Sequence, residues 1–220
     1  MLVIVGSPTG RFAPDGRLRA GGLAADVARA AARDDAAVQI VGRVGDDGTG
    51  EAVLLDLAAA GVAHVAVLRS PGEATPVAAE RPELDGDDDG PPGSALAEDD
   101  PSTAQVATGL PLDAGDLELA LRYLPDYRVL IVVPRLDPAA LATVVAAAAW
   151  SGAQLVVLDD GTTPAESLPA SATVLAQLPD ADAAFAAVVA RYAVELDRGA
   201  EPATAFTTAS AAIGWQPVEA

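Results

Sequence analysis

The chain has 220 residues, 51% of them hydrophobic and only 4% aromatic, with no cysteine and a single histidine, His64. That composition suits one domain with an aliphatic core and excludes disulfides, thiolate metal sites, cysteine nucleophiles and multi-histidine metal sites. The formal net charge is −19 and the 13 basic residues are all arginine, a field that repels nucleic acid and anionic membranes.

The chain opens directly on an apolar strand, Leu2–Val5, with no basic leader before it. No apolar run reaches the ~18 residues of a membrane span, so the expectation is a cytoplasmic protein. An Ala-rich helix follows from Gly22 to Ala32, then a strand at Val38–Val41. Thr49 is placed to cap a helix from Gly50 to Ala60, and Gly61 stands where a helix C-terminal glycine belongs. Val62–Leu68 reads as a strand that carries His64, and Thr75–Ala79 as a further short one. His64 has no Ser or Asp partner that spacing identifies.

Asp113 caps a helix through Leu124, and Tyr127–Val133 is a β-branched, apolar strand. Asp137-Pro138 combines a cap with proline at the first helical position, and that helix runs to Trp150 with Gly152 after it. Ala153–Leu158 is another buried strand, and two helices, about Asp182–Leu196 and Pro202–Ile213, close the chain. Short apolar strands without period-two alternation, separated by helices, predict a mostly parallel sheet covered on both faces. The expected architecture is three-layer α/β/α.

One stretch cannot contribute to a core. Residues 81–103 read RPELDGDDDGPPGSALAEDDPST, rich in proline, glycine and acid. The expectation is a single domain over 1–220 with an acidic flexible insert at about 81–103. Asp85-Gly86-Asp87-Asp88-Asp89-Gly90 resembles the opening of an EF-hand loop, but its twelfth position is Leu96 and not glutamate. It reads as a solvated acidic loop, and no metal site is expected.

The segments with the most information are Gly21-Gly22-Leu23-Ala24-Ala25-Asp26 and Gly42-Arg43-Val44-Gly45-Asp46-Asp47-Gly48-Thr49-Gly50. A glycine pair opens one helix and a glycine-rich turn opens the next. Together they resemble the N-terminal signature of the ribokinase-like (pfkB) carbohydrate kinases. The resemblance implies a ribokinase-like fold, with a lid that is reduced or absent because Thr9–Ala20 is short for a full β-lid. It makes the second glycine-rich turn mainly architectural, since adjacent Asp46 and Asp47 disfavour phosphate there.

The same resemblance implies substrate-binding positions at Arg11, Gly21, Gly22 and Asp26. Family members commonly carry G-S-x-N-x-D after the first strand, with the acid on sugar hydroxyls. Here Gly6-Ser7 are followed by Pro8-Thr9-Gly10-Arg11, which places Arg11 at the acid. A guanidinium only donates. Arg11 is therefore a surface arginine, or else the sugar contact is gone, or the ligand has become anionic. Asp26 stands where the family usually has asparagine.

The family's D-T-x-G-A-G-D motif, which supplies an anion hole and the catalytic base, has a poor counterpart in Gln177-Leu178-Pro179-Asp180-Ala181-Asp182-Ala183-Ala184-Phe185. Aligning Ala184-Phe185 with the family's A-F puts Ala183 at the base and Asp180 and Asp182 at the glycines. A slip of one residue offers Asp182 as the base, without the glycine before it. No N-x-x-E follows Val174-Leu175-Ala176-Gln177, and the segment that builds the nucleotide pocket is missing.

The resulting expectation is a degenerate, non-catalytic pfkB homologue that binds a small polar ligand or assembles as a homodimer or with an intact kinase. It needs no cofactor and contacts neither nucleic acid nor membrane. The alternatives are a minimal active sugar or nucleoside kinase using Mg-ATP, with Asp182 catalytic, and a purely structural subunit.

Overall fold

The structure is a computed structural model that describes residues 1–78, 108–124, 126–176 and 183–212. The acidic insert at about 81–103, the segment with Asp180 and Asp182, and the chain end after 212 lie outside the described residues.

Six strands form the main sheet: β1 (Leu2–Val5), β4 (Val38–Gly45), β5 (Ala63–Ser70), β7 (Val129–Val132), β8 (Gln154–Asp159) and β9 (Thr173–Ala176). Their order is β5-β4-β1-β7-β8-β9 and every pairing is parallel. Side chains alternate between two cores, which explains why these strands read as continuous apolar runs. Leu2, Ile4, Val129, Ile131, Val156 and Leu158 face one core. Val3, Val5, Leu130, Val132, Leu155 and Val157 face the other.

The first core is closed by α1 (Leu23–Arg33), α2 (Gly48–Ala59), α5 (Ala183–Asp197) and α6 (Pro202–Ala212). The second is closed by α3 (Ala114–Tyr123) and α4 (Pro138–Ser151). The expected three-layer α/β/α architecture is therefore the one observed. Tyr192 is the largest fully buried side chain. It meets Phe206 edge-on, with ring centroids 6.3 Å apart, and so joins α5 to α6.

A second, small sheet sits apart from the main one. It consists of β2 (Thr9–Phe12), β3 (Leu18–Gly21) and β6 (Val77–Ala78), in the order β3-β2-β6. The β2–β3 hairpin does not appear among the strands expected from sequence, because TGRF and LRAG offer too little apolar alternation. Strand β6 falls within the expected Thr75–Ala79. Strand β9 overlaps Val174-Leu175-Ala176, which the alternative alignment to the family's pattern reads as a strand.

Helix ends follow the capping chemistry with one correction. Asp137 accepts from the Ala140 N–H at 2.7 Å. Asp113 and Asp116 form a reciprocal capping box. Gly61 and Gly152 take φ values of 76° and 71° after their helices. Helix α2, however, is capped by Asp47 and not Thr49. The Asp47 carboxylate accepts from the Gly50 N–H at 2.7 Å, the Thr75 N–H at 3.0 Å and the Thr75 hydroxyl at 2.7 Å. The same hydroxyl accepts from the Gly45 N–H at 2.8 Å. A Cβ on Gly50 would lie 2.3 Å from the Gly45 oxygen. The second glycine-rich segment is thus a backbone knot that holds β4, α2 and the approach to β6 together.

The Gly50 N–H and the Thr75 donors hold the Asp47 carboxyl below the usual carboxylate range, against the partial burial that pushes it up. A depressed folded pKa adds stability above the unfolded value of ~3.9, and that stability is lost as pH falls through the folded pKa. Asp47→Ala is expected to cost roughly 1–3 kcal/mol at neutral pH. Urea titrations should show the gap between wild type and variant narrowing below about pH 4.

Candidate ligand-binding cleft

The order of the main sheet reverses around β1. The chain goes from β1 to β4 and β5 on one side, then crosses to β7, β8 and β9 on the other. Open parallel sheets bind ligands outside the carboxyl ends of their strands at such a switch point. A cavity of about 600 Å³ lies there. Its floor is Gly6 and Ser7 after β1, and its walls include Gly22 to Ala24, Thr108 to Leu112, Val133 to Leu136, Asp160 and Thr162. A neighbouring cavity of about 590 Å³ shares the wall from Val133 to Leu136 and reaches under α4 to Leu141 and Val157.

The floor is built by close backbone approach. A Cβ on Gly109 would lie 2.2 Å from the Ser7 carbonyl oxygen, and one on Gly42 would lie 2.8 Å from the Gly6 oxygen. The Ser7 hydroxyl accepts from the Arg43 N–H at 2.9 Å and donates to the Leu110 oxygen at 2.5 Å. It therefore ties β1 to β4 and to the segment that leads into α3. The Arg43 side chain pairs with Asp116 of α3.

The charged pair of the cleft comes from two separate loops. Arg135, two residues past Val133 at the end of β7, has a φ of 80°. Its Nε donates to Asp160 Oδ2 at 3.2 Å and its Nη1 to the Thr108 hydroxyl at 2.7 Å. Asp160, just after β8, also accepts from the N–H and hydroxyl of Thr162. Partial burial pushes the Asp160 carboxyl up, but the Thr162 and Arg135 donors outweigh it and hold the pKa below the ordinary value. Among the described residues, no group of three or more His, Asp or Glu side chains converges as a metal site.

The residues expected from sequence are placed in two ways. Gly22 lines the cleft at the start of α1, with a φ of 82° that only glycine adopts freely. Gly21 sits beside it at the end of β3, where a Cβ would meet Arg11 Cβ at 2.8 Å. Arg11 and Asp26 do not line the cleft. They face each other outside it, with Arg11 Nη2 donating to Asp26 Oδ1 at 3.0 Å and Nη1 to Oδ2 at 3.3 Å. Asp26 Oδ1 also accepts from Arg29 at 2.6 Å, and Arg29 continues to Asp56 at 2.9 Å. Asp182 lies outside the described residues. Sequence reasoning missed Arg135, Asp160 and Thr108. Polar residues directly after buried parallel strands, here Arg135 after β7 and Asp160 after β8, are the signal that points to them.

Residues 9–87 match the profile of the pfkB family carbohydrate kinases. No curated protein matches the chain. Its fold is similar to that of Arabidopsis thaliana ribokinase complexed with ribose and ATP, with a TM-score of 0.65 and 16% identity over 96% of this chain and 90% of that one. A putative ribokinase II from E. coli in complex with ATP and Mg²⁺ gives 0.62 and 14%, over 96% and 91%. The PfkB protein from Polaromonas sp. JS666 gives 0.60 and 16%, over 97% and 96%. The chain thus has a ribokinase-like fold, with the three-stranded sheet β3-β2-β6 beside the main one.

Two outcomes follow from this geometry. Gly109→Ala should cost about 1–3 kcal/mol in chemical denaturation, because the clash is with backbone and no rotamer relieves it. In a carboxyl NMR titration, Asp160 should titrate below the ordinary carboxylate value, and Arg135→Gln should move it upward.

Proposed function

We propose that this chain is a non-catalytic homologue of the pfkB carbohydrate kinases, a binding or assembly component that holds a small polar ligand in the cleft and does not transfer phosphate. The observation that carries the reading is the state of Asp26. Its carboxylate accepts from both Arg11 and Arg29, so the group at a sugar-holding position of the family is already engaged by two guanidiniums. A sugar hydroxyl would have to displace a charge-assisted bond to reach it. Arg11, at the position of the family's acid, offers no acceptor.

The nucleotide side of the molecule supports the same reading. Phosphoryl transfer rests on positioning and charge stabilisation, concentrated where backbone N–H groups meet phosphate. Before α5 the sequence supplies Asp180, Ala181 and Asp182, and no glycine. Two carboxylates there would oppose phosphate, and with them no site fitted to Mg-ATP is expected. The ribokinase of Arabidopsis thaliana is complexed with ribose and ATP. In this chain the cleft beside Gly22 is the counterpart proposed for a polyol-sized ligand. A cytoplasmic setting, and a homodimer or an intact kinase as the partner, belong to the same proposal.

The test is calorimetry with Mg-ATP, followed by a phosphate-transfer assay over a panel of sugars and nucleosides. No turnover and no saturable Mg-ATP binding are expected. Steady turnover that Asp182→Ala abolishes would establish the minimal-kinase alternative instead. Loss of a general base typically lowers rate ~10²–10⁴-fold, so the two outcomes are well separated.

A further inference from the structure

The cleft contains donors that nothing in the fold uses. We propose that it takes a small hydroxycarboxylate, whose carboxylate sits between the Arg135 guanidinium and the N-terminus of α1. The inference rests on the reading of the cleft as a ligand site and is independent of whether phosphate is transferred.

Three groups line the same cavity. Helix α1 is 11 residues long, and no side chain caps its start at Gly22. The first N–H groups of a helix have no intrahelical partner and carry the positive end of its dipole. Gly22, Leu23 and Ala24, the cap and first two residues of that helix, all line the cleft.

The second group is Thr9. It is 1% exposed, it lines the cleft, and its buried hydroxyl has no hydrogen-bond partner. A buried hydroxyl left unpaired is costly, so this wall of the cleft carries a polar atom for which the protein supplies no partner. The hydroxyl lies 3.2 Å from the Cβ position of Gly22, whereas the Thr9 methyl lies 3.8 Å away. It is therefore turned towards the uncapped start of α1.

The third group is Arg135. It uses Nε on Asp160 and Nη1 on Thr108, which leaves three of a guanidinium's five N–H groups outside these bonds. Its positive φ is a conformation that a non-glycine residue adopts only when its surroundings impose it. Gly6 brings this loop next to α1. A Cβ on Gly6 would lie 2.9 Å from Val133 Cβ and 3.2 Å from Ala24 Cβ. The end of β7 and the first turn of α1 thus flank the same glycine.

The charge inventory selects the anion. Arg135 is the only cation among the described lining residues, and Asp160 stands beside it. A dianionic phosphate would face that carboxylate with one guanidinium to offset it. A single carboxylate matches one guanidinium fork and leaves Asp160 and Thr162 to meet hydroxyls of the ligand. The aliphatic wall of Leu110, Pro111, Leu112 and Leu136 suits the carbon chain.

The experiment is calorimetry at low ionic strength with glycerate, ribonate and gluconate, each against its matched polyol, glycerol, ribitol or glucitol, and with inorganic phosphate. At least one carboxylate is expected to bind ten-fold or more tightly than its polyol and more tightly than phosphate. Arg135→Gln should abolish that discrimination, Arg135→Lys should keep part of it, and Thr9→Val should weaken the carboxylate several-fold. Thermal melts establish that each variant folds; should Arg135→Gln not fold, the lysine and valine variants carry the test. The proposal is overturned if no carboxylate binds, if the matched polyol or phosphate binds as tightly, or if the folded variants bind as wild type does. Phosphate transfer from Mg-ATP to a bound hydroxycarboxylate would instead defeat the non-catalytic reading and leave the ligand class standing.

Discussion

Three stretches of the chain meet at Gly6 and Ser7, and the cleft at the carboxyl ends of the strands depends on how closely they approach. Gly42 comes from β4, Val133 from the end of β7, and Gly109 from the segment before α3, each within a distance that a Cβ would close. The Ser7 hydroxyl then joins two of these stretches by hydrogen bonds to backbone. Glycine at these contacts lets peptide groups approach closely, and only small side chains such as Ser7 and Val133 enter the junction. That is what leaves a cavity of about 600 Å³ above the sheet and fixes the loops that carry Arg135 and Asp160 around it.

Ion pairs act here as positioning devices more than as sources of stability. Exposed pairs contribute ~0–1 kcal/mol each. Yet the chain Arg11–Asp26–Arg29–Asp56 crosses from β2 through α1 to α2, and Asp56 also accepts from the Ala20 N–H at 3.0 Å. It therefore registers the small sheet against the main body. With no lysine in the chain, the side-chain cations in these pairs are arginines, whose planar fork fixes direction as well as charge. The net charge of −19 makes these few cations stand out locally. Screening over ~8 Å at physiological salt lets a single guanidinium in a concave site act against the overall field.

Much of the fold was legible because its causes are local. Apolar β-branched runs such as Val129–Val132 can only be buried strands, and Asp137-Pro138 can only start a helix in this context. The β2–β3 hairpin was not legible. The residues it buries, Thr9, Gly10, Ala20 and Gly21, are small and give no apolar alternation, and Gly21 packs on Arg11 across the hairpin. The cap of α2 was assigned to Thr49 because the motif offers several oxygens in a row. Asp47 takes the role because Thr75, distant in sequence, donates to it twice. The cleft pair was hidden for the same reason. Arg135 and Asp160 are 25 residues apart and meet only through the parallel register of β7 and β8.

Arg11 and Arg135 show why position decides what a charge can do. Arg11 faces a carboxylate with both terminal nitrogens, in the forked geometry that satisfies both partners. Asp26 is held by a second arginine as well, so neither group of the pair has reason to turn towards a ligand. Arg135 meets its carboxylate through Nε alone and reaches a neutral hydroxyl with Nη1. A guanidinium engaged at its near edge still presents its far edge. Arg11 and Arg135 therefore take part in separate contacts of the structure. The first closes a contact outside the cleft, and the second leaves donors open inside it.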